Sequence, residues 1–266
     1  MQIKSFTQSD IPLITLLQPE GWLDIVPVYT FYTASSFCHP IKVMVANELV
    51  GIGTTIMHND VAWLAHIIVH EDYRNRGIGK IITQSLIDSI DTRICKTIYL
   101  IATTLGEPIY QKIGFTTETE YLFYKDIRPI ENYISSPNIF SYNKTFHEQI
   151  QRMDQRVSGE NRMFRFERYL SNAYVYVINN CSEGYFIPDF YEGLIVSTSS
   201  KAGIELMTKR FTTQETMVFP IDNIEAIEYM RIQGFEPFKF LKRMRLGEIR
   251  EVAYTNTFNR ISGSIG

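Results

Sequence analysis

The sequence predicts an α/β (α+β) fold built as two related domains, and three observations carry that prediction. Strand-length apolar runs alternate with helix-spaced apolar faces from the N-terminus to about Lys125. A strand, a basic glycine-containing turn and an amphipathic helix follow one another between Val61 and Ile90. The layout around Gly114-Phe115 then returns around Gly234-Phe235.

In order along the chain, residues 3–6 read as a short strand. Residues 10–17 read as a helix, with Ile11, Ile14 and Leu17 on one face after the Ser9/Asp10 cap signal, and Pro19-Glu20-Gly21-Trp22 breaks it. A second, aromatic-rich helix is expected over residues 28–37, ending before His39-Pro40. Residues 42–46 and 49–57 form a hairpin about Asn47-Glu48, and Val61–Val69 is a third strand. Ile78, Ile81, Ile82, Leu86 and Ile90 share one helical face. Thr97–Ala102 is a buried strand, Glu107–Ile113 a helix stopped by Gly114, and residues 115–125 a final strand or strand pair.

Pro129, Ser135, Ser136 and Pro137 lie in an aperiodic stretch, which places a linker at 129–138 between domains 1–128 and 139–266. Beyond it, a helical stretch carries Arg162, Phe166 and Tyr169, and a strand covers residues 173–178. A turn at 179–184 leads to further strands up to Val196. A helix over 201–209, a strand over 216–220 and a helix over 223–232 complete the pattern.

Composition narrows the function. The chain has 266 residues, 45% hydrophobic and 13% aromatic, enough to bury a sizeable core, so disordered, collagen-like and disulfide-stapled classes are excluded. Lys plus Arg number 26 against 29 Asp plus Glu, a net charge of −3, so neither a nucleic acid nor an anionic membrane is an expected partner. Cys38, Cys95 and Cys181 form no CxxC pair, and no metal site is expected. The N-terminus lacks an apolar signal core, and Val61–Val69 is too short to span a bilayer and contains His66; a cytoplasmic location is the expectation.

The chemistry concentrates in Arg74-Asn75-Arg76-Gly77-Ile78-Gly79-Lys80. Glycines admit close backbone approach, a helix N-terminus presents free N–H groups, and the basic side chains add countercharge, so the loop suits a phosphate. A solvated basic turn is the alternative. The dinucleotide and P-loop patterns do not fit, since no GxGxxG or GxxxxGK[ST] is present.

In context, Trp63 to His70 followed by Tyr73-Arg74-Asn75-Arg76-Gly77-Ile78-Gly79 resembles the acyl-CoA strand and pyrophosphate loop of the GNAT acetyltransferases. Tyr110-Gln111-Lys112-Ile113-Gly114-Phe115 resembles that superfamily's second signature, in matching order and separation. The resemblance covers residues 1–128. It implies acetyl-CoA as co-substrate and no metal. Ile67, Ile68 and Val69 would pair with pantetheine, Arg74 to Gly79 with Lys80 would take the pyrophosphate, and Thr103, Thr104 and Glu107 would border the pantetheine arm.

Acyl transfer to an amine requires an ammonium, reference pKa near ~10.4, to lose a proton, and the departing thiolate, about 8.5, to gain one. The resemblance assigns the second task to Tyr110; a tyrosine packed on the sheet with its hydroxyl in water is the alternative. Where the family often carries a carboxylate this chain has Ala65 and His66, and an imidazole can accept the proton directly or through water; a merely packed histidine is the alternative. Strand alternation is expected to point His66 and Trp63 to opposite faces. The resemblance places acceptor selectivity at Trp22, Asp24 and Tyr29, near Phe31 and Tyr32, whose aromatic walls and carboxylate suit a cation with an apolar body; aromatics that merely pack helices are the alternative.

In the second half Met230 stands where Tyr110 would, and Leu194 to Ser199 where Arg74 to Gly79 would, with neither arginine nor glycine. This resembles a tandem arrangement in which an active GNAT domain precedes a degenerate one, and Arg243-Met244-Arg245-Leu246-Gly247 is similar to that domain's closing strand. The expected function is transfer of an acetyl group from acetyl-CoA to a primary amine of a small molecule or a protein. The alternative is an acyl-CoA-binding sensor without catalysis, which Ala65 keeps open and Tyr110 disfavours.

Overall fold

The computed structural model describes residues 1–130 and 133–266, and contacts divide the chain into two compact units. The first comprises Met1–Thr116, Met244–Ile249 and Gly263–Ile265; the second comprises Thr117–Arg243, Arg250–Ser262 and Gly266. Of the expected linker 129–138, residues 131 and 132 lie outside the described residues, and its described residues contain no helix or strand.

The first unit opens with strand β1 (Gln2–Ser5), paired antiparallel to β2 (Cys38–Val45). Residues 10–17, expected as an ordinary helix, belong to a 3₁₀ helix, Gln8–Leu17. Pro12 removes an N–H inside the segment, and the Asp10 carboxylate accepts the Thr7 amide at 2.8 Å, closing a capping box. Helix α1 (Val26–Ala34) carries Pro27 in its first turn, where a missing N–H costs nothing. It starts two residues before the expected helix and ends at Ala34, with Tyr29 and Tyr32 on its buried side.

Strands β2 and β3 (Glu48–His58) form the predicted hairpin. Ala46 and Asn47, at φ 48° and 68°, supply the two left-handed residues that match the strands' twist. Strand β4 (Val61–Val69) pairs antiparallel to β3, and β5 (Thr97–Ala102) pairs parallel to β4. Residues 244–247 are strand and lie next to β5, where the Glu248 amide donates to the Lys96 carbonyl at 2.9 Å.

Helix α2 (Ile78–Asp88) packs Ile82 and Leu86 onto β3 at Gly51 and Gly53. A Cβ at Gly53 would lie 2.7 Å from Ile82 and 3.0 Å from Leu86, and one at Gly51 would lie 2.8 Å from Ile82. The helix therefore rests on bare backbone, which fixes where its N-terminus emerges. Helix α3 (Glu107–Ile113) stops at Gly114, φ 111°, as its sequence predicts.

The second unit contains, in order, β6 (Thr116–Tyr124, from Thr117), β7 (Ile139–Ser141), α4 (His147–Ser158), α5 (Met163–Phe166), a 3₁₀ turn (Glu167–Asn172), β8 (Tyr174–Ile178), β9 (Cys181–Ile187) and β10 (Leu194–Ser197). Helix α6 (Ser200–Arg210), β11 (Met217–Pro220), α7 (Ile224–Ile232), β12 (Lys239–Gly247, to Arg243 in this unit) and β13 (Thr257–Asn259) follow. Strands β13-β10-β9-β8-β7 form an antiparallel sheet, and β11 pairs antiparallel to β6. The turn expected at 179–184 is only Asn179-Asn180, both left-handed, so β9 already begins at Cys181. Helix α4 was not anticipated. It is strongly polar, and its three apolar side chains, Ile150, Met153 and Val157, are all buried. Mixed α/β units with mostly antiparallel sheets flanked by helices result, the predicted class.

Candidate active site

The site is built where β4 and β5 part. Their parallel register runs from Val61↔Thr97 to Leu64↔Leu100 and stops. From Ala65 to Val69, β4 keeps only its β3 partner, leaving alternate backbone groups on its other edge without a strand. Ile67, Ile68 and Val69 lie on this edge, and the remaining lateral groups belong to the loops that follow the two strands.

A β-bulge marks the same point. Ile52 faces Ile68 but Thr54 faces Ala65, so His66 and Ile67 together oppose Gly53, and His66 has φ 49°. Ala62 and Leu64 before the bulge, and Ile67 and Val69 after it, pack in the cluster around α2, so side-chain parity changes at His66. The alternation expected to set His66 opposite Trp63 is thereby interrupted. Trp63 packs on Tyr99 with centroids 5.1 Å apart, while His66 turns to the aromatics of α1 and the loop before it.

His66 is held from two sides. The Tyr29 hydroxyl donates to the His66 carbonyl at 3.3 Å, and the Tyr32 hydroxyl lies 3.0 Å from His66 Nδ1. Trp22, 40% exposed, meets the imidazole edge to face at 6.0 Å. Burial lowers the His66 pKa from 6.5 to about 4, so the imidazole is neutral at physiological pH rather than titrating there. Tyr29 is fully buried against Phe6 and Tyr32, and burial raises its pKa far above the usual phenol value. It supports the bulge from beneath. Asp24 is exposed and accepts the Val26 amide at 2.9 Å.

The loop leaving β4 presents unsatisfied donors. Asn75 and Gly77 are left-handed at φ 61° and 79°, and Gly77 caps α2 without any side-chain hydrogen bond. The first helical bond runs from Ile81 to the Gly77 carbonyl, so the amides of Ile78, Gly79 and Lys80 have no intrahelical acceptor. Arg74, Arg76 and Lys80 are exposed around them; Arg74 Nε donates to the Val69 carbonyl at 3.3 Å and Arg76 lies over the Tyr73 ring. Ile78 alone of this loop is buried, anchoring the helix start in the core. Gly79 faces Ile109, to which a Cβ would approach 3.4 Å. These donors and cations form a cradle suited to an anion.

On the β5 side, the Thr103 carbonyl accepts the amides of Gly106 and Glu107 at 3.0 and 2.9 Å, starting α3. Thr104 is exposed, and Glu107 accepts from Gln111 at 2.8 Å. Tyr110, one turn on, is 8% exposed and lies against Gly106, where a Cβ would sit 2.7 Å from its ring. Among the described residues its hydroxyl has no hydrogen-bond partner, and burial pushes its pKa up to about 12. It is a phenol that stays protonated. A cavity of about 560 Å³ flanks the loop, lined by Leu13, Leu16, Glu48, Tyr73 and Arg76 among others, and includes neither His66 nor Tyr110.

The second unit repeats the turn after its last helix: Phe235 donates to the Met230 carbonyl at 3.0 Å, as Phe115 does to Tyr110, and Gly234 is left-handed like Gly114. Its strand-to-helix loop is closed, however. Thr198 donates to the Glu183 carbonyl, Ser199 to Ser197 Oγ, and Ser199 Oγ caps the Ala202 amide.

Among the described residues, no helix is long and apolar enough to cross a membrane, and no group of three or more His, Cys, Asp or Glu side chains is arranged to hold a metal ion. No curated protein matches the sequence. The fold resembles that of a candidate acetyltransferase from Pyrococcus horikoshii, at TM-score 0.84 and 22% identity over 100% of this chain and 95% of the other. It also resembles a GCN5-related N-acetyltransferase from Sphaerobacter thermophilus, at TM-score 0.67 and 13% identity over 94% and 96%. A tandem GNAT protein from the clavulanic acid biosynthesis pathway matches at TM-score 0.62 and 12% identity over 92% and 98%. Residues 39–117, from β2 through the cradle and α3 to the first residues of β6, match the family model described as an acetyltransferase (GNAT) domain, and the chain has the GNAT acetyltransferase fold.

Proposed function

We propose that the chain is an N-acyltransferase that moves an acetyl group from acetyl-CoA to a primary amine, of a small molecule or of a protein, by direct attack with both substrates bound. The observation that carries this reading is the parting of β4 from β5 beside a helix start whose Ile78, Gly79 and Lys80 amides have no intrahelical acceptor. Bound acetyl-CoA would supply the thioester carbonyl and a thiolate leaving group. The residues fit it: the amides of Ile78, Gly79 and Lys80 with Arg74, Asn75 and Arg76 suit the pyrophosphate, and the open edge at Ile67, Ile68 and Val69 suits the pantetheine amides. Thr103, Thr104 and Glu107 border the same groove from the β5 side.

Within this reading Tyr110 Oη gives its proton to the departing sulfur, a task suited to a phenol that remains protonated at neutral pH. His66 is neutral and available to accept the amine proton. Its low basicity makes it a relay that passes the proton to solvent at its partly exposed side rather than a lasting sink. A strand amide at Ile67 or Ile68 polarises the carbonyl. Trp22 and Asp24 face the acceptor, with Tyr29 holding the bulge.

The second unit is read as a degenerate copy. Its element order and Gly234-Phe235 turn support common ancestry, while its closed Ser197 to Ser199 loop and Met230 supply neither cradle nor acid. The reading is tested by incubating the protein with acetyl-CoA and a mixed panel of amines and polyamines while following free thiol. Amine-dependent thiol release that is lost in Tyr110→Phe with CoA binding retained supports it. CoA binding without turnover on any amine assigns the chain to the sensor class instead.

A further inference from the structure

We propose that Tyr32 is a positioning residue for His66, accepting the Nδ1 proton so that the imidazole keeps its Nε2 lone pair for the incoming amine. This rests on the reading of His66 as proton acceptor. Helix α1 places two phenols one turn apart, at Tyr29 and Tyr32, and spends both on one residue of β4: Tyr29 on the backbone carbonyl and Tyr32 on the ring nitrogen. Both rings are fully buried, at 0% and 1% exposure, whereas His66 itself is only partly buried. The fixed partners therefore lie on the inner side of the imidazole. Among the described residues Nε2 has no hydrogen-bond partner.

A neutral imidazole carries one proton, and the bond made by one nitrogen decides which nitrogen holds it. If Tyr32 donates to Nδ1, the proton sits on Nε2, which can then only donate. If Tyr32 accepts from Nδ1–H, Nε2 is an acceptor. Only the second arrangement takes a proton from an ammonium, and it leaves the phenol oxygen on Nδ1–H while positive charge develops on the ring. The left-handed backbone of His66 sets which partners the ring meets. At φ 49° the side chain leaves the α2 face and reaches α1, and Tyr29 holds the carbonyl that defines the turn.

The test reads the tautomer directly, by long-range ¹H–¹⁵N correlation of the histidine rings in the full-length protein near neutral pH. The His66 signal is assigned by its loss in His66→Asn. Wild type is expected to show the Nδ1–H form, and Tyr32→Phe to move the population to Nε2–H, with kcat about tenfold lower and KM for acetyl-CoA within about twofold. An Nε2–H ring for His66 in wild type overturns the proposal, whatever Tyr32→Phe does to the fold. So does a Tyr32→Phe protein whose tautomer is unchanged. Full turnover in His66→Asn would instead remove the acceptor reading while leaving the Tyr32–His66 tautomer relationship standing, so the two failures are distinguishable.

Discussion

Leu64 faces Leu100 in the last parallel pair between β4 and β5, and no register continues beyond it. An unpaired strand edge ordinarily invites pairing by another extended chain. In this unit the edge runs from Ala65 to Val69, directly into the anion cradle of Arg74 to Lys80. A ligand with an anionic end and an amide-bearing arm would therefore add a strand-like partner. Hydrogen exchange with and without CoA is expected to show several-fold slower exchange at alternate amides of 65–69. Amides of 61–64, already paired on both sides, should be unchanged. Uniform protection along β4 would argue against the edge as the binding surface.

The cradle depends on backbone shape more than on side-chain volume. Gly77 is left-handed at φ 79°, and a Cβ there would meet nothing within 4 Å. Gly77→Ala therefore adds no clash, only the conformational penalty of about 1 kcal/mol for a non-glycine residue in that region. The variant is expected to fold with a slightly lower Tm but to bind CoA about tenfold more weakly, because the amides after it are re-aimed. Isothermal titration of CoA into both proteins checks this. Replacing Arg74 and Arg76 by Ala should instead flatten the salt dependence of binding, since those side chains contribute screened charge rather than fixed donors.

Much of the first unit is legible because its elements obey short-range rules. The bounds of β4, β5 and α3 follow from apolar runs punctuated by glycine and asparagine, and α2 from five residues on one face. The bulge at His66 is not legible. It depends on Gly53 across the strand pair and on Ile82 and Leu86 pressing on that glycine, a contact between residues far apart in sequence. Strict alternation consequently assigns His66 to the wrong face, and Tyr32 is left as one aromatic among several instead of the ring's hydrogen-bond partner. Helix α4 escapes for a different reason: its apolar stripe is only three residues wide, and the remaining face is charged or polar. The hairpin is legible, but its turn is Ala46-Asn47, one residue before the expected Asn47-Glu48, because the two left-handed residues fall there.

The role proposed for the Tyr110 hydroxyl is chemical and not structural. It has no hydrogen-bond partner among the described residues, so Tyr110→Phe should leave Tm nearly unchanged and CoA affinity intact, while kcat falls about a hundredfold. Gly106→Ala supplies the complementary experiment. The new methyl would lie 2.7 Å from the Tyr110 ring and displace it while keeping the hydroxyl. A comparable loss of kcat in Gly106→Ala would show that the phenol must be placed, not merely present. Because burial pushes Tyr110 up to about 12, wild type should show no Tyr110 ionisation in its kcat profile below that pH.

Burial of His66 also links stability to pH. Its folded pKa is lowered from 6.5 to about 4, so between those values the unfolded chain takes up a proton that the folded chain refuses. This group therefore leaves stability untouched above pH 6.5 and reduces it as pH falls towards about 4, below which both states are protonated and the loss levels off. The full loss is on the order of a few kcal/mol, reduced by the ring's residual contact with solvent. In His66→Asn, a substitution that tolerates the left-handed backbone at φ 49°, this component is absent. Urea unfolding at pH 7 and pH 4.5 should therefore show a larger drop for wild type than for His66→Asn, whatever their stabilities at pH 7. Equal drops would mean that the imidazole protonates in place, and the neutral relay assigned to it would not survive.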